Sequence, residues 1–376
     1  MNPLLFHKND YQNNEDIKMF KRLISISLSI ALFILCLAAC DKTSLNKNSG
    51  ETAEKKKFTQ TYIDYFDTVS TIVGFDVDEG EFKKKCDFIK QQLSEYNSIY
   101  DIYKSYDGIN NLYTVNKNAG IGPVKVDTRI IDLLDFCKKI YDLTGGQVNV
   151  AMGSVLSIWH DYRTEGINNP KNASLPSVES LNMAAKHTDF SKIIIDRENS
   201  TVYLDDKDMT LDVGAIAKGY ATEQIAKALI EQGVTNYTLN IGGNIRTIGS
   251  KADGTPWTAA ITNPDTKSEN ASVMTVKLSG QSFVTSGSYQ RYYEVDGKRY
   301  HHIIDAKTLF PRNEFSSVSI LSKDSGLADA LSTALFNMSY EDGKKLISSI
   351  EGVEALWITD EYEIFYTDGF ADIILK

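Results

Sequence analysis

Leu211-Asp212-Val213-Gly214-Ala215-Ile216-Ala217-Lys218-Gly219-Tyr220 reads as a hydrophobic strand end running into a small-residue turn and then an amphipathic helix. Gly214, Ala215, Ala217 and Gly219 keep side-chain bulk off the main chain, so an anionic ligand can approach its N–H groups. The helix adds the positive end of its dipole, and Lys218 adds a cation. Ala221, Ile225, Ala228 and Leu229 recur at helical spacing as far as Gly233, a natural stop. No Gly-x-x-x-x-Gly-Lys-Ser/Thr phosphate loop occurs here, and a tight structural turn with a surface lysine would use the same residues.

Working outward, 65–76 alternates as a strand, while 81–100 and 130–143 have helical spacing, the second closed by Gly145-Gly146. The stretch 159–181 is rich in Asn, Pro and Ser and predicts a surface loop leading into another helix. Ile193-Ile194-Ile195 and Val202-Tyr203-Leu204 predict a hairpin. Strands are expected over 255–261, 271–278, 289–295 and 300–304, with Asp296-Gly297 turning the last two into a hairpin. The segments 315–321 and 352–370 predict β-structure around one helix. This mixed order points to an α+β fold with no internal repeat.

The N-terminal region carries Lys21 and Arg22, an uncharged run over 23–39, and Leu37-Ala38-Ala39-Cys40. Small residues directly before a cysteine resemble a lipoprotein signal, so 19–39 is expected to be an export signal and Cys40 the lipidated N-terminus. Residues 1–18 lack the basic layout of such a signal and suggest an upstream extension before a start at Met19. Polar residues without apolar periodicity make 40–57 a flexible tether, and a single large or interleaved domain follows over 58–376. These features predict anchoring to the cell membrane on its extracytoplasmic face. A net charge of −10 argues against nucleic acid as a partner. Cys86 and Cys137 sit in helix-like apolar patterns and are expected to be buried free thiols.

Asp329 and Thr333 lie four apart in a helix capped by Asp324 or Ser325, so their oxygens share one face, which could hold a hard cation or be simply solvated. Among only five histidines, His301 and His302 are adjacent. Strand alternation lets only one of them face a cleft, where an imidazole could act as a base, and a plain core or surface histidine uses the same residues.

In order and spacing, the Asp212 turn, Asn240-Ile241-Gly242-Gly243-Asn244, Thr285-Ser286-Gly287-Ser288-Tyr289, His302-Ile303-Ile304-Asp305 and Ala328-Asp329-Ala330-Leu331-Ser332-Thr333 resemble the ApbE family, the FAD:protein FMN transferases. The resemblance extends from about Tyr62 to the C-terminus and implies two intertwined subdomains with an active-site cleft between them. It implies FAD as substrate and Mg²⁺ bound by Asp329, Thr333 and the main-chain carbonyl of Ala215. It also implies His302 as catalytic base, with Asp305 orienting it or acting as base itself. Flavin-nucleotide contacts carry over to Phe66, Ser98, Tyr100, Asn149, Lys218, Gly243, Ser286 and His302. Three departures stand out: Phe66-Asp67-Thr68 replaces Met-Gly-Thr, Asn149 replaces an aspartate, and Ala306-Lys307-Thr308-Leu309 replaces Pro-Arg-Thr-Gly. The implied partner is an exported redox protein with a Ser/Thr-Gly-Ala-Ser/Thr-like acceptor motif. Hydrolysis of FAD by water, or mere flavin storage by a lipoprotein, would be the rival uses of such a site.

Overall fold

A computed structural model describes residues 54–375, so the export signal, Cys40 and the tether as far as residue 53 lie outside the described residues. The chain opens with the hairpin β1 (Lys56–Tyr65) and β2 (Thr68–Asp76). Its two-residue tip, Phe66-Asp67, is left-handed at both positions (φ 53° and 51°), the geometry that matches strand twist. The predicted strand 65–76 is thus the second arm of a hairpin, and the first arm begins two residues before the expected domain start. Next come α1 (Glu79–Tyr100), α2 (Leu112–Lys117), β3 (Val124–Lys125), α3 (Thr128–Leu143), α4 (Gly153–Asn168), α5 (Val178–Ala184), β4 (Ile193–Asp196) and β5 (Thr201–Leu204). Then follow α6 (Ala217–Glu231), β6 (Tyr237–Ile241), β7 (Asn244–Ile248), β8 (Trp257–Thr262), β9 (Ser272–Leu278), β10 (Ser282–Gly287), β11 (Tyr292–Val295) and β12 (Lys298–His301). The last elements are β13 (Phe315–Ser322), α7 (Ser325–Phe336), α8 (Tyr340–Ser348), β14 (Glu354–Thr359) and β15 (Ile364–Tyr366).

The main sheet has eight strands in the order β1-β2-β6-β7-β10-β13-β14-β15. Strand alternation gives it two apolar faces. Ile72, Leu239, Val284, Ile320 and Trp357 pack under α1, α6 and α7 in the largest core. Val73, Phe283, Leu321 and Leu356 turn the other way, beneath the β8–β9 hairpin. A third, smaller core joins Met152, Val155 and Trp159 of α4 and Leu181 of α5 to Tyr293, Ile304 and Leu309. Two distant stretches of chain thus build one unit against the main sheet, which is the interleaved α+β arrangement expected.

Local differences have local causes. Residues 159–181 do not form one loop: α4 runs to Asn168 because Val155 and Trp159 are buried, and only the Asn169-Pro170 stretch breaks it. Two helices, not one, separate β13 from β14, since Ser339 caps a second helix by accepting from Asp342 N–H. No strand precedes the Asp212 turn. Leu211 is instead held by the Asn116 amide, which accepts from its N–H at 2.7 Å and donates to its carbonyl at 3.0 Å. The strand expected over 300–304 ends at His301, and that over 289–295 begins at Tyr292. Helix α6 closes as read, with Gly233 left-handed (φ 82°) and Val234 N–H donating to the Leu229 carbonyl. Cys86 and Cys137 are free and buried, and burial pushes the Cys86 thiol up to about 12. Among the described residues no helix is long and apolar enough to cross a membrane.

Candidate functional site

Helices α6 and α7 meet at Gly219. A Cβ there would lie 2.4 Å from Asp329 Cβ and 2.4 Å from the Ser325 carbonyl, so only glycine allows this approach. In a regular helix the Gly219 N–H would meet the Ala215 carbonyl; here it donates to Asp329 Oδ2 at 2.7 Å. That exchange fixes the buried Asp329 carboxylate and leaves the Ala215 carbonyl for another partner. Thr333 lies one turn on from Asp329 and lines the same cavity. Between them Ser332 pairs its hydroxyl with that of Ser286 at 2.7 Å. Carboxylate, hydroxyl and carbonyl are the hard oxygen donors that suit Mg²⁺, so the residues present fit that ion.

Lys218 donates to the Asn244 side-chain oxygen and lies 3.9 Å from Asp329 Oδ1. Burial depresses its ammonium, with Arg291 acting in the same direction and Asp329 opposing. Asp212 accepts from Gly214 N–H at 2.8 Å and so shapes the turn. Burial raises its carboxyl, against the pull of that N–H, His160 and Arg163.

His302 lines the facing wall. Its Nδ1 is 3.2 Å from the Arg291 carbonyl, an acceptor only, so Nδ1 carries the proton and Nε2 keeps its lone pair. Burial, then Arg291 and Arg163, hold this imidazole down to about 3. His301 turns into the core, 2% exposed, edge-on to Phe336, with Nε2 at the Arg312 carbonyl.

Asp212, Ala215, Lys218, His302, Asp329 and Thr333 line one cavity of about 2370 Å³, together with Phe66, Tyr100, Asn149, Gly243 and Ser286. Asn149 caps the short turn that follows it, accepting from Ala151 N–H. The Tyr100 hydroxyl donates to the Arg129 carbonyl. Gly242 and Gly243 form the β6–β7 tip, both with positive φ, and Gly242 packs on Thr68. Two expected residues stand apart from the cavity wall. Ser98 turns its hydroxyl back to the Glu95 carbonyl, and Asp305, 3% exposed, accepts from Lys307 N–H and closes its own turn rather than touching His302.

Arg163 and Arg291 also belong to this wall, although no motif in the sequence marks them. Both line the cavity, and among the described residues neither forms an ion pair with a carboxylate. Arg163 lies 3.1 Å from His160 Nδ1, and burial and Arg291 depress its guanidinium. Arg291 sits eleven residues before His302, across the β11–β12 hairpin, where the paired arms bring its backbone to that of His302. That hairpin register was the available signal.

The model of the ApbE family matches residues 66–357. The FAD:protein FMN transferase of Treponema pallidum (strain Nichols) is 33% identical over 275 residues, covering 69% of this chain and 74% of its own. That of Klebsiella pneumoniae (strain 342) is 30% identical over 278 residues, covering 71% and 82%. The crystal structure of the ApbE protein from Thermotoga maritima superposes with a TM-score of 0.74 at 26% identity, covering 85% of this chain and 100% of that one.

Proposed function

Because the chain belongs to the ApbE family and is a flavin transferase enzyme, we propose that it moves FMN from FAD to a threonine or serine hydroxyl of an exported redox protein and releases AMP. The observation that carries this reading is the Gly219–Asp329 contact, which sets a carboxylate, a free carbonyl and Lys218 at one point of the cavity wall. Asp329, Thr333 and the Ala215 carbonyl would hold Mg²⁺, which when bound neutralises charge on phosphoryl oxygens. Lys218 supplies a further cation to those oxygens. Nε2 of His302 takes the proton of the acceptor hydroxyl as its oxygen bonds to the FMN phosphorus. The bond from that phosphorus to the AMP oxygen breaks, and AMP leaves with the electron pair. Asp305 enters only by bracing the turn after His302. Lipid on Cys40 would hold the enzyme at the extracytoplasmic face of the membrane, where an exported acceptor is met.

Purified protein incubated with FAD, Mg²⁺ and an acceptor protein bearing Ser-Gly-Ala-Thr should add the mass of one FMN less one water to the acceptor and release AMP. Asp329→Ala should lower the rate at least a hundredfold. AMP and free FMN without labelled acceptor would indicate hydrolysis, and intact FAD throughout would indicate a flavin-storing lipoprotein.

A further inference from the structure

The cavity of about 2370 Å³ exceeds by more than twofold the ~1,000 Å³ upper range of ordinary ligand pockets. The excess runs over the main sheet, away from Lys218 and His302. On one sheet face Thr61 pairs with Thr71, Thr71 with Asn240, and Asn240 with Ile245. In the next row Thr59 pairs with Val73 and Val73 with Thr238; beyond them Lys57 pairs with Phe75. All of these line the cavity. The rows begin at the hairpin tips Phe66-Asp67 and Gly242-Gly243, which line the same cavity as the catalytic groups, so the trough leads along the strands directly out of the transfer site. At about 3.3 Å per residue, the run 68–75 is roughly 25 Å long, room for six or seven residues of extended chain.

The β8–β9 hairpin forms the far wall, where the Trp257 ring lies tilted against Phe75 at 5.6 Å and both residues line the trough. A solvated strand face would account for exposed Thr59 and Thr61 by themselves. It does not account for the continuity of that face with the cavity wall that holds His302.

We propose that this trough binds an extended segment of the flavin-acceptor protein, with small uncharged side chains, laid along β1, β2 and β6. The threonine hydroxyls and the Asn240 amide would meet its backbone, the Trp257 ring would close the far end, and the reacting hydroxyl would lie at the tip end. The inference rests on the transferase reading, since it assigns that reaction's second substrate to a surface.

The test uses a fluorescein-labelled twelve-residue segment containing Ser-Gly-Ala-Thr, titrated by anisotropy against the FAD-loaded full chain, and the FAD affinity of each variant by flavin fluorescence. Thr71→Trp fills the trough; Thr61→Arg, at an exposed position, narrows it without burdening the core. Each should weaken the segment at least tenfold and leave FAD affinity within twofold. No binding to the unmodified protein, or equal binding by all three, overturns the proposal. Weakened FAD would overturn it too, because nucleotide would then occupy the trough. Flavin transfer to the segment is followed separately, so a segment that binds but is never flavinylated counts against the transferase reading alone.

Discussion

In the proposed reaction His302 is the base, and its surroundings favour the deprotonated ring. Burial and the nearby Arg291 and Arg163 hold it down to about 3, well under the ordinary 6.5. A base works in its unprotonated form, so kcat/KM, which reports the free enzyme, should stay level as pH falls through 6.5 and drop only far below. Arg291→Gln removes one repelling charge, raises the His302 pKa and should bring the acid limb up into the measurable range. Profiles of flavin transfer from pH 5 to 8 check this; the idea is lost if both proteins show the same limb near 6.5. The same group costs stability in acid: the unfolded chain takes up its proton near 6.5 while the folded one resists, so stability declines as pH falls from there toward 3. A few residues on, Leu309 stands where the ApbE pattern has glycine, and it adopts φ 62°. That conformation costs a non-glycine residue about 1–2 kcal/mol, whereas burying a leucine returns roughly 1.5–3 kcal/mol. Leu309 is 8% exposed within the third core, so burial offsets the strain.

At the scale of elements, the Gly219–Asp329 corner is a contact between α6 and α7 that a second link secures. One turn beyond Gly219, the buried Glu223 accepts from Ser325 N–H at 2.9 Å and from Arg246 Nε at 2.8 Å, joining α6, α7 and β7. Glu223→Ala would leave Arg246 buried without its carboxylate, and unfolding in urea should show a loss of about 3–5 kcal/mol. Pairing Glu223→Leu with Arg246→Met should recover most of it; a double variant as unstable as the single would mean that Ser325 N–H, not the ion pair, is what Glu223 serves. These helices were legible because their ends are written locally: Asp324 caps α7 by accepting from Leu327 N–H, and Gly233 stops α6. Helix α4 was not, because its polar, Asn-terminated sequence hides a Trp159 whose burial depends on Tyr300 and Phe310 far along the chain. Lys218, Asp329 and His302 stood out through their motifs. Arg163 and Arg291 carry no motif, and their shared wall exists only once α4 and the β11–β12 hairpin have packed.

Across the whole molecule, the cleft has walls of unequal origin. The Lys218–Asp329 corner belongs to the main sheet and its helices, while His302, Arg163 and Arg291 belong to the small third core or its borders. That core is closed by links between remote segments: Trp159 Nε1 donates to the Leu309 carbonyl at 2.8 Å, and the Tyr293 hydroxyl donates to the Ser174 carbonyl at 3.1 Å. Gly166 fits directly beneath the Tyr293 ring, where a Cβ would come within 2.4 Å. Segments 152–181 and 291–310 cannot bury these side chains separately, so they should open as one cooperative unit at lower free energy than the main sheet. Hydrogen exchange read by mass spectrometry should therefore show a shared, faster exchange of both segments relative to β10 and β13. Trp159→Phe, which keeps a ring but loses the donor, should speed both together and leave the sheet unchanged. If acceleration stays within α4, the unit is not cooperative and the His302 wall is held by the main sheet alone. If both segments respond, each opening carries His302 and two cations away from the Lys218–Asp329 corner at once, and under the proposed mechanism transfer should fall in proportion to the closed fraction.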